Sequence, residues 1–331
     1  MNHNSLIENI KKIIHNARNF VAIKVNQELI VAYWNVGKVI IDNEKANNVD
    51  VTSSRQIILE LSKRLTTEIG KGFSRSNLFN MRKFYLDYPD VQTVSGQLTW
   101  SHICELLIID DFQKRGFYEK ESINSSWSVR ELKRQIDSSL YERLLLIKGK
   151  ANKEQLMELS RKGQQITKPE DIVKNPYVFE FLGIKEQKLI LEKELEKKLI
   201  KHIEDFLLEL GRGFMFVGSQ QRITINNTHY YVDMVFYNKI LRSYILIELK
   251  TTKLKINDVG QLNTYLNYYK AEINDKGDNP PIGIILCAEK DEIAAEYILG
   301  GLENNVFASK FTYVLPDKEE LIRELENAIR E

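Results

Sequence analysis

The 331-residue sequence predicts an α/β chain in two parts: a mainly helical N-terminal half, and a C-terminal half built on a mixed β-sheet. Three observations predict this. Apolar residues recur at helical spacing from residue 5 to about 145. Strand-like apolar runs begin only after Gly213. From the helix before that point, the order reads α-β-β-β-α-β-α-β, and the strand–helix alternation at its end calls for parallel crossovers beside an antiparallel hairpin.

Residues 5–45 read as two packed helices. "SSRQIILELSKRLTTEI" is the next helix, broken by Gly70 and Gly72, and Ser74 caps "SRSNLFNMRKFYLDY", which Pro89 stops. "LTWSHICELLII" and "WSVRELKRQIDSSLYERLLL" are further helices, with the serines after Trp100 and Trp127 as caps. The polar stretch 151–175, with Pro169, is expected to connect a helical domain (1–150) to a second domain (176–331). "LEKELEKKLIKHIEDFLLEL" reads as one long amphipathic helix ended by Gly211 and Gly213. It either packs on the sheet or, in an assembly module, mediates a homodimer. "FMFVG" and "RITIN" form one bent strand or two. "YYVDMVFY" and "YILIELK" pair as a hairpin, and a helix capped by Asn257 follows. "IGIILCA", "DEIAAEYIL", "FTYVL" and "DKEELIRELENAIRE" complete the alternation.

Composition narrows the function. A net charge of +1 excludes a uniformly basic coat, so any nucleic-acid site must come from local clustering. Two distant cysteines and five scattered histidines suggest reduced thiols and no zinc site. Without a signal-peptide pattern or an apolar run of about 20 residues, the expectation is a soluble, cytoplasmic protein with no membrane partner.

Charges inside the hairpin are the chemical signal. If Tyr237 sits opposite Tyr244, Asp233 sits opposite Glu248, with Cβ atoms roughly 5 Å apart. Two carboxylates at that distance repel by about 3 kcal/mol at an effective dielectric near 20. Lys250 offsets part of this. A Mg²⁺ ion offsets more, because it takes one or two carboxylates and keeps its waters. The backbone carbonyl of Leu249 is a further candidate ligand. The plainer alternative is a salt bridge on a solvated strand face.

Asp233, a hairpin, and then Glu248-Leu249-Lys250 resemble the signature of the PD-(D/E)xK nuclease superfamily, and "GQLNTYLNYY" resembles the helix that supplies Gln261 and Tyr265 in some of its branches. "NPYVFEFLGI", "FLLELGRGFMFVGSQQRITI" and "GFSRSNLFNMRKFY" extend the likeness to YhcG-like proteins over nearly the whole chain. The resemblance implies a restriction-endonuclease-like αβββαβ core behind a winged-helix or helix-turn-helix-like domain. It also implies an endonuclease using Mg²⁺ or Mn²⁺ on nucleic acid, expected to be DNA. Asp233 and Glu248 would hold the metal, Lys250 would orient or activate water, and Gln261 and Tyr265 would support them. Glu196, or else Glu194, would supply an acid from the preceding helix. Ser219 stands where the family pattern leads one to expect arginine, and Arg222 is the compensating candidate.

Residues 55–83 carry seven positive and two negative side chains. Helix, glycine turn and helix in that order match a DNA reader, with Arg75, Ser76 and Asn77 at the start of the second helix and Arg82 and Lys83 behind them. The alternatives are an ordinary helical pair with a basic face, and a catalytically idle binding protein that retains the nuclease fold. Trp100 and Trp127 read as core aromatics, and His102 as structural.

Overall fold

The computed structural model describes residues 3–91, 96–147, 153–185, 190–289, 292–300 and 305–317, with 319, 321 and 323. The chain divides into two compact units, residues 1–133 and 134–331.

The first unit holds α1 (His3–Ala46), α2 (Val51–Glu68), α3 (Arg75–Asp87), α4 (Trp100–Leu106) and α5 (Phe112–Asn124), and α6 (Val129–Asp137) spans the division. α1 is a single helix of 44 residues, not the expected pair. Nothing in its first thirty-odd residues breaks a helix, and Gly37 does not break it either. Gly37 instead lets α1 cross α3 closely, because a Cβ there would lie 2.0 Å from the Met81 carbonyl oxygen. Ile40, Ile58, Leu78 and Met81 form the core at this crossing, with Tyr33 and Trp100 packed against it.

Ser74 caps α3 by accepting the Asn77 N–H at 3.3 Å, and Gly70 and Gly72, both at φ +113°, shape the turn before it. Ser128 opens α6 as expected, accepting from the Glu131 N–H at 3.3 Å. Thr99, not Ser101, caps α4. His102 is buried and engaged at both ring nitrogens, 2.7 Å from Thr99 Oγ1 and 2.9 Å from the Trp127 carbonyl oxygen, so it is structural. Among the described residues the first unit contains no strand, so no wing accompanies its helices.

The second unit adds α7 (Leu140–Ile147), α8 (Lys153–Lys162), β1 (Tyr177–Val178), α9 (Glu192–Lys201), α10 (Ile203–Leu210), β2 (Phe214–Ile225), β3 (Thr228–Asn238), β4 (Ser243–Lys253), α11 (Ile256–Tyr268), β5 (Ile282–Glu289), α12 (Glu292–Leu299) and β6 (Asn305–Thr312). The polar stretch 151–175 therefore carries helix and lies inside this unit. Arg134 and Arg143 bind Glu209 of α10 at 3.1 and 2.5 Å, which joins residues 134–147 to it.

The sheet order is β1-β6-β5-β4-β3-β2. β2, β3 and β4 run antiparallel, and β4, β5, β6 and β1 run parallel. This is the mixed sheet the sequence predicts, extended at the edge by β1. β2 is one strand with a register shift between Phe216 and Gly218. The last strand occupies 305–312, earlier than "FTYVL". α11 starts at Ile256, with Asp258 accepting the Lys255 N–H at 2.9 Å, so Asn257 lies inside the helix.

The predicted long helix breaks at His202 (φ −110°, ψ 40°) into α9 and α10. Leu195, Leu199, Phe206 and Leu210 are buried in the core on one sheet face, so this stripe packs on the sheet and is not a dimer surface. Val259, Leu262, Tyr265 and Leu266 of α11 cover the other face. The predicted closing helix over 317–331 falls largely outside the described residues. Among the described residues, no helix is long and apolar enough to cross a membrane.

Candidate active site

The hairpin register puts Tyr237 opposite Tyr244 and Met234 opposite Ile247. One step further, Asp233 meets Glu248. The Asp233 N–H donates to Glu248 Oε1 at 3.3 Å, and the Leu249 N–H donates to Asp233 Oδ2 at 2.9 Å. The Glu248 carboxyl is thus held by the Asp233 backbone, and the Asp233 carboxylate by the backbone of Leu249, the residue after Glu248. Glu248 is 2% exposed. Burial first, and then the Asp233 charge, push its carboxyl up to about 8. Asp233 and Glu196 are raised too, chiefly by burial.

Lys250 Nζ lies 3.7 Å from Glu248 Oε2 and 3.8 Å from Glu192 Oε2. Burial disfavours its ammonium, but Glu248, Glu192 and Asp233 outweigh burial and hold its pKa above the ordinary value. In this state Lys250 is a proton donor and a positive charge, not a base.

Two side chains that sequence reasoning missed complete the cluster. Gln220 stands across from Asp233, between the pairs Ser219–Met234 and Gln221–Val232. Its Nε2 donates to Asp233 Oδ1 at 3.1 Å and to Glu196 Oε2 at 2.8 Å, tying α9 to β3. Gln220 has φ +47°, a left-handed backbone that costs a non-glycine residue about 1 kcal/mol or more. Glu192, at the start of α9, also accepts the Thr251 N–H at 3.3 Å. Spacing gives no signal for Gln220. Glu192 sits in the same acidic run as Glu196 and is the one turned towards Lys250.

The predicted residues fall into three groups. Asp233, Glu248 and Lys250 come together, with Glu196 one amide away and Glu194 exposed. Gln261 and Tyr265 bond each other at 2.7 Å on α11. Burial raises the Tyr265 phenol, with Glu248 and Asp233 adding to the shift. Arg222 pairs across the β2–β3 hairpin with Tyr231, and both are exposed.

In the first unit, Arg75 and Ser76 are exposed, with the Arg75 guanidinium 5.7 Å from the Phe79 ring centre. The other three candidates each have a partner within the unit. Asn77 donates to the Gly72 carbonyl and accepts from Trp100 Nε1 at 2.7 Å. Arg82 forks onto Glu44, with Nε 2.9 Å from both carboxylate oxygens. Lys83 pairs with Asp110 at 2.6 Å.

A hard divalent cation suits the Asp233–Glu248 pair. Both are oxygen donors, and the raised Glu248 carboxyl marks a place where a second positive charge is favoured. Among the described residues no three His, Cys, Asp or Glu side chains converge as a metal cage, so the fit is to an ion that takes two carboxylates and otherwise backbone oxygen and water.

The YhcG PDDEXK nuclease domain family matches residues 170–326, and the DUF1016 N-terminal domain family matches residues 9–143. The chain is 35% identical to "Putative nuclease YhcG" of Escherichia coli (strain K12) over 350 aligned positions, covering 96% of this chain and 92% of that one. Two solved structures each align with 40% of this chain at 18% identity. One is EndoMS in its apo form, with 49% of that chain covered and a TM-score of 0.26. The other is a repair endonuclease from Pyrococcus abyssi, with 50% covered and a TM-score of 0.25. Those superpositions are too loose to place any residue.

Proposed function

Because the chain belongs to the YhcG PDDEXK nuclease family, we propose that it is a divalent-metal-dependent endonuclease that hydrolyses phosphodiester bonds of DNA, acting in the cytoplasm. The observation that carries this reading is the cross-strand pair of Asp233 and Glu248 with Lys250 Nζ 3.7 Å from Glu248.

Asp233, Glu248 and the Leu249 carbonyl would hold Mg²⁺ or Mn²⁺. When bound, the ion supplies a more acidic water and positive charge beside the phosphate. The chain's own residues do the rest. Lys250 donates to the attacking water or to the phosphate oxygen on which charge develops. Gln220 holds the Asp233 carboxylate in place and couples it to Glu196. Gln261 and Tyr265 support the site from the α11 side. Arg75 and Ser76 of the first unit, and Arg222 of the hairpin, contact the nucleic-acid backbone.

The test is a cleavage panel of labelled duplex, branched and single-stranded DNA and of RNA, with Mg²⁺, Mn²⁺ or EDTA. Internal cuts in DNA that require metal support the reading. Binding without cleavage under every condition would identify an idle binding protein, and cleavage confined to RNA would reassign the substrate.

A further inference from the structure

The first half of α1 is an amphipathic helix whose apolar face is exposed. Every side chain described from residue 5 to 25 is exposed. Anchoring starts at Asn26, which donates to the Leu98 carbonyl at 2.5 Å, and continues through buried Ile30, Ile40 and Ile41. Before it, Leu6, Ile7, Ile10, Ile13, Ile14, Phe20 and Val21 are 47–66% exposed. In heptad terms Leu6, Ile13 and Phe20 occupy d, Ile10 and Ala17 occupy a, and Ile7, Ile14 and Val21 occupy e. That is the three-in-seven apolar stripe of a helix built to pack on other helices. A continuous patch of this kind is larger than monomeric proteins ordinarily leave in water.

We propose that residues 6–24 of α1 pair antiparallel with the same segment of a second copy of this chain, about a two-fold axis at the level of His15. Three features favour this occupant and this direction. The stripe complements itself when reversed: Ile10 of one copy faces Phe20 of the other, and Ile13 faces the small Ala17. The positions flanking the seam on the g side are Asn9 and Asn16, which are uncharged, while Lys11, Lys12 and Arg18 lie at b and c, away from it. A parallel pair would set Lys24 against Lys24 inside the seam. The antiparallel pair sets Lys24 against Leu6 at the end of the seam, where the ammonium reaches water. The seam spans roughly 28 Å of helix. It would bury on the order of 1,000 Å² in total, the lower bound for a specific interface, so the dimer should be concentration-dependent.

Sedimentation equilibrium of the full chain from low to high micromolar concentration should give a mass rising from one to two chains. Ile10→Glu with Ile13→Glu should hold it at one chain. Both positions are exposed in the single chain, so the melting profile at low concentration should not change. Direction is read by oxidative cross-linking. Ile10→Cys alone sets the two thiols roughly 15 Å apart in the antiparallel pair and should not cross-link. Ile10→Cys with Phe20→Cys should give a covalent dimer, and the parent protein should not. A wild type that stays monomeric overturns the proposal, as does a dimer that survives the double Glu variant. Cross-linking by Ile10→Cys alone, or none by the double Cys variant, also overturns it.

Discussion

The Asp233 backbone N–H donates to Glu248 Oε1 at 3.3 Å, and Asp233 thereby holds the buried carboxyl whose pKa its own charge helps raise to about 8. At neutral pH without metal, a proton on Glu248 relieves the repulsion between the pair.

A pH dependence follows from the sign of that shift. The folded pKa lies above the ordinary 4.5, so the contribution of Glu248 to stability is full below about pH 4.5 and is lost as pH rises through about 8. A Mg²⁺ ion held by the pair would displace the proton and restore what is lost. Melting temperatures with and without Mg²⁺ should therefore diverge as pH rises from 6 to 9, with the ion's gain greatest above about pH 8. An equal gain at every pH would contradict the proton–metal exchange.

Asp233→Asn should flatten that divergence. The variant removes a charge worth at most about 3 kcal/mol of repulsion. It also replaces one of two carboxylate oxygens that accept N–H groups from Leu249 and Gln220. The net change in metal-free stability near pH 7 should therefore be small, within about 1 kcal/mol, because the proton on Glu248 has already relieved most of the repulsion. A chemical denaturation curve that shifts by several times this amount would refute the balance.

Gln220 separates backbone strain from site chemistry. Gln220→Gly relieves the φ of +47° and should melt at least as high as the parent, whereas Gln220→Ala keeps the strain and should be about 1 kcal/mol less stable than the Gly variant. Both lose the amide that bridges Glu196 and Asp233, and both should cleave about 10–100-fold more slowly. Full activity in either variant would remove Gln220 from the site.

Arg82 and Arg75 should behave differently although both lie in the same basic stretch. Burial disfavours the Glu44 carboxylate, but the Arg82 and Ser54 hydrogen bonds and the Arg82 charge hold its pKa low. Arg82→Ala strands it and should cost about 2 kcal/mol, reduced from the fully buried case because Arg82 is partly exposed. Arg75→Ala should leave melting unchanged, weaken DNA binding and reduce the salt slope by up to about one unit. Equal effects on melting would mean that Arg82 is not structural.

The sequence made legible what depends on regular alternation. The Tyr237–Tyr244 pairing set the register, and with it the meeting of Asp233 and Glu248, because a strand's period of two leaves little choice once one pair is fixed. Gln220 stayed hidden because its place depends on an irregular backbone between Ser219 and Gln221. Charge and position on a helix also do not reveal that Asn77 bonds Trp100 and that Arg82 bonds Glu44. α1 looked like two helices because its apolar stripe changes face near residue 22. The change marks where the exposed part of the helix gives way to the part packed in its own unit, not where the helix ends.

The central claim is that Asp233, Glu248 and Lys250 together form a metal-dependent phosphodiester-cleaving site. Its most direct test is the initial rate of cleavage of a labelled DNA duplex in Mg²⁺ by the parent chain and by Lys250→Ala, with binding measured in parallel. The account predicts metal-dependent cleavage by the parent, a loss of at least about 100-fold in the variant, and nearly unchanged binding, because affinity rests on phosphate contacts elsewhere. A Lys250→Ala protein that cuts at the parental rate would contradict it.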